Sequence, residues 1–221
     1  MTNNGDIQYL TDITNKYPTI NLCYIASIDN AESIIENGIL SYADVKHNNI
    51  KHKSTANPDV QGRRERKFCM CSGGLQHIVH DLVPLYFTTK TPTSFRMIRE
   101  SDPGEYFFII VKWDILFDAN SSFIFTDGNA ACGDTRFFCD LKHLSKIPWA
   151  FLSENGRAYH HDKEIRQRNA ELLIYPKIDN KYFAKVVAHD LAGGEKLTKL
   201  KDRYNLNVEI IVDKDGEFFD V

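Results

Sequence analysis

The segment EYFFIIVKW, residues 105–113, constrains the fold more than any other, because six consecutive positions from Tyr106 to Val111 carry bulky apolar side chains. Side chains alternate between the two faces of a strand, so such a run needs cover on both sides, and it is far too short to cross a bilayer. It predicts a central strand in a layered domain. Similar apolar runs at residues 20–25, 82–88, 123–126, 170–175, 184–188 and 208–212 predict its companions. Between them lie short helical patterns. Ile7, Leu10 and Ile13 keep helical spacing over residues 6–16 until Pro18 stops them, and a second helix starts at Asp29 as N-cap, with Glu32 three residues on, and ends at Gly38. Further helices are predicted at 92–99, 135–143 and 196–204. Strands and helices are interspersed without the regular alternation of a doubly wound sheet, which predicts an α+β fold on a mixed or antiparallel sheet with flanking helices.

A chain of 221 residues can bury such a core without disulfide or metal staples, so one domain over residues 1–221 is expected, with its core at about 20–190. The tail at 194–221 reads as a structural helix and strand. The N-terminus, MTNNGDIQ, has neither a basic nor an apolar targeting region, so a cytoplasmic protein without membrane contact is expected. Five cysteines form an odd set and read as reduced thiols.

Twenty-seven Lys and Arg against thirty Asp and Glu give a net charge of -3, so any contact with nucleic acid must be local. One region suits it. From residue 42 to 74 the apolar pattern lapses, and residues 46–67 hold seven basic side chains, Lys46, Lys51, Lys53, Arg63, Arg64, Arg66 and Lys67, against Asp59 and Glu65. The stretch reads either as a functional loop or as a solvated excursion with some helix around 58–67.

Recognised chemical motifs are scarce. Cys69, Cys71, His77 and His80 offer thiolates and imidazoles, but Cys-x-Cys followed by His-x-x-His matches no established zinc spacing, and no metal is expected. A cysteine nucleophile has no convincing partner. Signatures of serine hydrolases, P-loop NTPases, Rossmann enzymes and zinc deaminases are missing from the sequence. What remains is Glu171, which opens an apolar strand just after Arg166 and Arg168. A carboxylate beside two cations would stay ionised, facing either a cleft or solvent as an ordinary surface pair.

Five segments in order, YIASIDNAESIIENGILS (24–41), NPDVQGRR (57–64), HDLVPLYFTTKTP (80–92), FTDGNAA (125–131) and RQRNAELLI (166–174), resemble the DarT family of ADP-ribosyltransferases, toxins that use NAD to modify bases of nucleic acid. The resemblance implies a split mixed sheet with NAD as co-substrate in a central cleft and no metal. It implies that Glu171 is the catalytic glutamate, stabilising the positive charge that develops on a ribose losing nicotinamide. Arg64, with Arg63 as its neighbour, matches an arginine that contacts NAD and helps the base lose its proton. Tyr86 and Phe87 match a strand that flanks the nicotinamide end, with Tyr86 the one expected to face the cleft. Tyr24 and Ser27 match a first-strand motif in which the family commonly has histidine where this chain has Ser27. Thr93 and Asn169 also replace frequent Met and Gln, marking a divergent member. Lys51, Lys53, Arg66, Arg166 and Arg168 are expected to guide a phosphate backbone. The implied partners are single-stranded DNA, with RNA as the alternative acceptor, and a cognate antitoxin such as a macrodomain hydrolase within a bacterial toxin–antitoxin or phage-defence system. A protein-directed transferase and an inactive nucleic-acid-binding domain stay open beside this reading.

Overall fold

The computed structural model of the chain describes residues 4–55, 57–154 and 161–219. Helix α1 (Asn4–Lys16) leads into strand β1 (Leu22–Ser27), helix α2 (Ala31–Asn37) and a short strand β2 (Ile39–Leu40). Two short helices, α3 (Tyr42–His47) and α4 (Pro58–Arg64), precede a hairpin of β3 (Phe68–Met70) and β4 (Gln76–Ile78). Strand β5 (Val83–Tyr86), helix α5 (Pro92–Glu100), the central strand β6 (Tyr106–Val111) and strand β7 (Ser122–Thr126) follow. Next come β8 (Phe137–Phe138), α6 (Trp149–Ser153), α7 (Asp162–Arg168), β9 (Glu171–Tyr175) and β10 (Lys177–Ile178). Strand β11 (Phe183–Ala188), helix α8 (Leu191–Arg203) and strand β12 (Glu209–Val212) complete the order.

Eight strands form one sheet in the order β12-β11-β6-β1-β5-β9-β7-β8, antiparallel throughout except for the β11–β12 pair. The α+β architecture is as expected. Residues of β6 alternate as a doubly covered strand must: Phe107, Ile109 and Val111 join the large core beneath α1, α2 and α8, while Tyr106, Phe108 and Ile110 pack with Met97 and Ile98 of α5 on the other face. The sheet is split at its middle. Strand β1 pairs with β6 along six residues but touches β5 at a single pair, Cys23↔Tyr86, so the two halves diverge and leave a cleft between them.

Several sequence expectations need correction. The helix expected at 135–143 is instead strand β8, paired as Phe125↔Phe138 and Thr126↔Phe137, followed by a 3-10 turn over Leu141–Lys146 that Asp140 caps. Asp29 does not cap α2; the Ser27 hydroxyl accepts from the Asp29 N–H and starts a 3-10 turn that runs into the helix. Gly38 does close α2, at φ +80°, and an added Cβ would lie 2.5 Å from the Ile178 carbonyl oxygen, so the position admits glycine on two counts. Residues 42–74 contain two helices and the first strand of a hairpin, each too short to leave a periodic trace.

Candidate active site

Strand β9 lies between β5 and β7 and presents Glu171 at its first residue, in register with Tyr86. The carboxylate is 0 % exposed, so each oxygen needs a partner. Oε1 accepts from the Ala130 backbone N–H at 3.0 Å, and Oε2 accepts from Nη1 of Arg64 at 2.8 Å. The backbone is fixed as well. Thr126 Oγ1 accepts from the Glu171 N–H at 3.0 Å and donates to the Gly128 carbonyl at 2.6 Å, so the FTDGNAA segment folds around the glutamate from behind. An added Cβ at Gly128 would sit 2.5 Å from Arg166 Nη1, which explains the glycine in that segment. Apart from the Thr126–Gly128 bond, none of these contacts is local in sequence.

Arg64 reaches the glutamate across 107 residues and is itself only 6 % exposed. It ends α4, whose start is well defined: Pro58 takes the first turn, and the Asn57 side chain accepts from the N–H groups of Asp59 and Val60. Gln61 in the same helix lies 2.6 Å from His80 Nε2, which ties α4 to the turn before β5. Burial, reinforced by the nearby Arg64 cation, holds the His80 pKa below the ordinary histidine range. The unfolded chain therefore binds this proton first, and stability declines as pH falls from about 6.5 toward the folded value. Thermal melts are expected to lose more between neutral and mildly acidic pH for the parent protein than for His80→Gln. Parallel losses in the two proteins would refute this.

A cavity of about 360 Å³ is lined by Arg64 and by Tyr24, Tyr86, Asn129, Asn169 and Arg96 among others, while Glu171 does not line it and is tied to its wall through Arg64. Burial raises the phenol pKa values of Tyr24 and Tyr86 to about 12, and the Glu171 charge adds to the shift at Tyr86, so both rings keep their protons at neutral pH. Thr93 Oγ1 donates to Asn169 Oδ1 at 2.9 Å, joining the two divergent positions into one polar wall. Lys53 also lines the cavity, held at the rim by Glu105 at 2.7 Å.

The structure brings together Glu171, Arg64, Tyr24, Tyr86 and Lys53, and separates the other residues singled out from the sequence. Phe87 is core, stacked near Trp113 and edge-on to Trp149. Ser27 is fully buried in its capping role and does not line the cavity. Arg63, Lys51 and Arg66 are exposed outside the cavity. Arg168 is 1 % exposed and donates to the backbone carbonyls of Lys90, Phe151 and Glu154, which makes it a structural cation and corrects its assignment to a phosphate backbone. Arg166 pairs with Asp127 at 3.0 Å and Asp134 at 3.2 Å, so it braces the loop behind Glu171 rather than meeting a ligand. Neither neighbour supplies Glu171 with its counter-charge.

Sequence reasoning missed the Ala130 N–H, the Thr126 hydroxyl and Asn129, whose signal was the FTDGNAA segment itself. Cys69 and His77 face each other across the hairpin, and among the described residues no group of three potential ligands is placed to hold a metal. No helix among the described residues is long and apolar enough to cross a membrane.

Comparison with known proteins gives the arrangement its context. A Thermosipho africanus protein described as a DNA ADP-ribosyl transferase-DNA ADP-ribosyl glycohydrolase fusion is 26 % identical over 197 residues, covering 87 % of this chain and 48 % of its own length. The chain thus spans about half of that curated relative. Among solved structures, Thermus sp. 2.9 DarT in complex with ADP-ribosylated ssDNA superposes with a TM-score of 0.77 at 21 % identity, covering 90 % of this chain and 96 % of that one. The same Thermus protein in complex with NAD+ gives a TM-score of 0.71 at 19 % identity, covering 89 % and 96 %. The fold is therefore shared. The family model described as ssDNA thymidine ADP-ribosyltransferase, DarT, matches residues 23–219, and the chain belongs to that family.

Proposed function

We propose that this chain transfers ADP-ribose from NAD to a base of single-stranded DNA and releases nicotinamide. The observation that carries the reading is the buried Arg64–Glu171 pair in a split sheet, a guanidinium that lines the cavity with a carboxylate held directly behind it. The cavity suits a dinucleotide chemically: Arg96 and Lys53 supply cations for a diphosphate, and Tyr24 and Tyr86 supply apolar ring faces. The bond to nicotinamide breaks with positive charge developing on the ribose. Glu171 answers that charge from a dry, fixed position, where a carboxylate acts far more strongly than in water. An ionised carboxylate has about four acceptor sites. Two are used by Ala130 and Arg64, which leaves capacity for a ribose hydroxyl.

Arg64 acts on the other partner. A guanidinium stays protonated, so it takes no proton from the base; instead it stabilises the negative charge that the base acquires as its N–H proton passes to solvent, while the pyridinium of NAD leaves as neutral nicotinamide. Lysine keeps the charge but lacks the fork that can hold Glu171 and a second group together. Arg64→Lys is expected to lower the transfer rate roughly 100-fold, with folding retained, as for other preorganised donors. A rate within threefold of the parent would exclude the role.

In the cell we read the protein as a toxin opposed by an antitoxin that removes the modification. The Thermosipho relative, whose description couples a transferase with a glycohydrolase, supports such a counterpart. The test is incubation of the purified protein with labelled NAD and, separately, single-stranded DNA, RNA or protein. Label on DNA is expected. Label confined to RNA or protein, or none from a folded preparation, refutes the reading.

A further inference from the structure

The hairpin β3–β4 stands outside the eight-stranded sheet and carries an exposed apolar face. Phe68 is 63 % exposed, Met70 49 % and Leu75 52 %, three large apolar side chains within eight residues. For the two that lie in β3, the direction follows from the pleat. Cys69 points inward with Lys67, whose Nζ lies 4.7 Å over the Phe137 ring, while Phe68 and Met70 point outward. Across the ribbon Phe68 is in register with the half-buried Ile78, and Met70 with the exposed Gln76. Both ends of the hairpin are fixed at the cavity. The chain leaves Arg64 four residues before Phe68, and the Val79 N–H, from a residue of the cavity wall, donates to the Lys67 carbonyl. Exposed Arg63 and Arg66 immediately precede the hairpin in the chain.

From this geometry we infer that the outer face of the hairpin is a stacking platform for bases of the DNA strand that flank the modified one, with Phe68 as the ring and Met70 as its sulfur neighbour. The inference rests on the proposed action on single-stranded DNA. Exposed apolar side chains two to seven residues after exposed cations match an occupant with flat π faces joined by a polyanion. A thioether adds favourable contacts to aromatic rings, and stacking on every kind of base makes the platform tolerant of sequence. Arg63 and Arg66 take the phosphates on either side, which makes affinity fall with salt.

The test measures binding of a fluorescent single-stranded oligodeoxynucleotide, and of NAD, to the full chain and to Phe68→Ala, Met70→Ala and Phe68→Trp. Phe68→Ala is expected to weaken oligonucleotide binding by roughly tenfold or more, as removal of one base–aromatic stack does. Met70→Ala should have a smaller effect, and Phe68→Trp should restore affinity, its emission being quenched as DNA is added. NAD affinity and melting temperature should stay at parental values in all three. The inference fails if Phe68→Ala binds the oligonucleotide like the parent, if NAD affinity falls in step, or if the introduced tryptophan ignores DNA. It also fails if the variants alter self-association or capture of a protein partner and leave DNA affinity unchanged. A parent that labels DNA while Phe68→Ala binds it normally sinks the platform alone; a parent that neither labels nor binds DNA sinks the proposed function with it.

Discussion

Glu171→Gln is expected to lower ADP-ribose transfer by about a thousandfold, as loss of a group aimed at developing charge does in other sites, and to leave the protein folded. The amide is isosteric and keeps an acceptor for Arg64, now neutral, while giving up the bond from the Ala130 N–H. The packing of β9 between β5 and β7 is untouched, because the strand is held by its own ladder and by Thr126 on the Glu171 N–H. What disappears is the negative charge proposed to answer the one developing on the ribose. Single-turnover measurements with saturating NAD separate the two effects: the chemical step should fall while NAD affinity changes by no more than severalfold. A variant that turns over within tenfold of the parent would show that the buried charge is not the source of rate.

Arg168→Ala should have the opposite signature. Its guanidinium binds the carbonyls of Lys90, Phe151 and Glu154 and lies over the Phe151 ring, in a position closed to solvent. Truncation leaves those carbonyls without their donor and opens a void, mechanisms that together cost about 3–5 kcal/mol. For a domain of this size that corresponds to roughly 10 °C in melting temperature. Salt dependence of DNA binding, measured below the melting transition, should be unchanged, since the residue meets no phosphate. A normal melting curve together with a reduced salt slope would reinstate it as a DNA contact.

The contrast between Arg64 and Arg168 shows what the sequence could and could not disclose. Apolar runs located the main strands well, because a strand buried on both faces leaves a continuous signal, as at Tyr106–Val111. Helix α8 was found only from residue 196, since Gly193 and Gly194 in its first turns argue against a helix interior. The expected helix at 135–143 failed because Phe137 and Phe138 pair with β7, a long-range choice that local spacing does not contain. At the site, Glu171 stood out, but its counter-charge was sought in the adjacent Arg166 and Arg168, whereas folding delivers Arg64 from 107 residues away. Resemblance to a family named Arg64; only the fold shows the contact. Phe68 carried no signal, for an exposed phenylalanine and a buried one look alike in a sequence.

The order of the strands has a bearing on biosynthesis. Strand β9 is the keystone of its half of the sheet, with β5 on one side and β7 on the other, yet it is made after both. A ribosome that has delivered everything through α7 holds a chain with its arginine in hand but neither the acid nor the strand that seats it. On the proposed chemistry, translation products interrupted before β9 lack the acid and cannot transfer ADP-ribose.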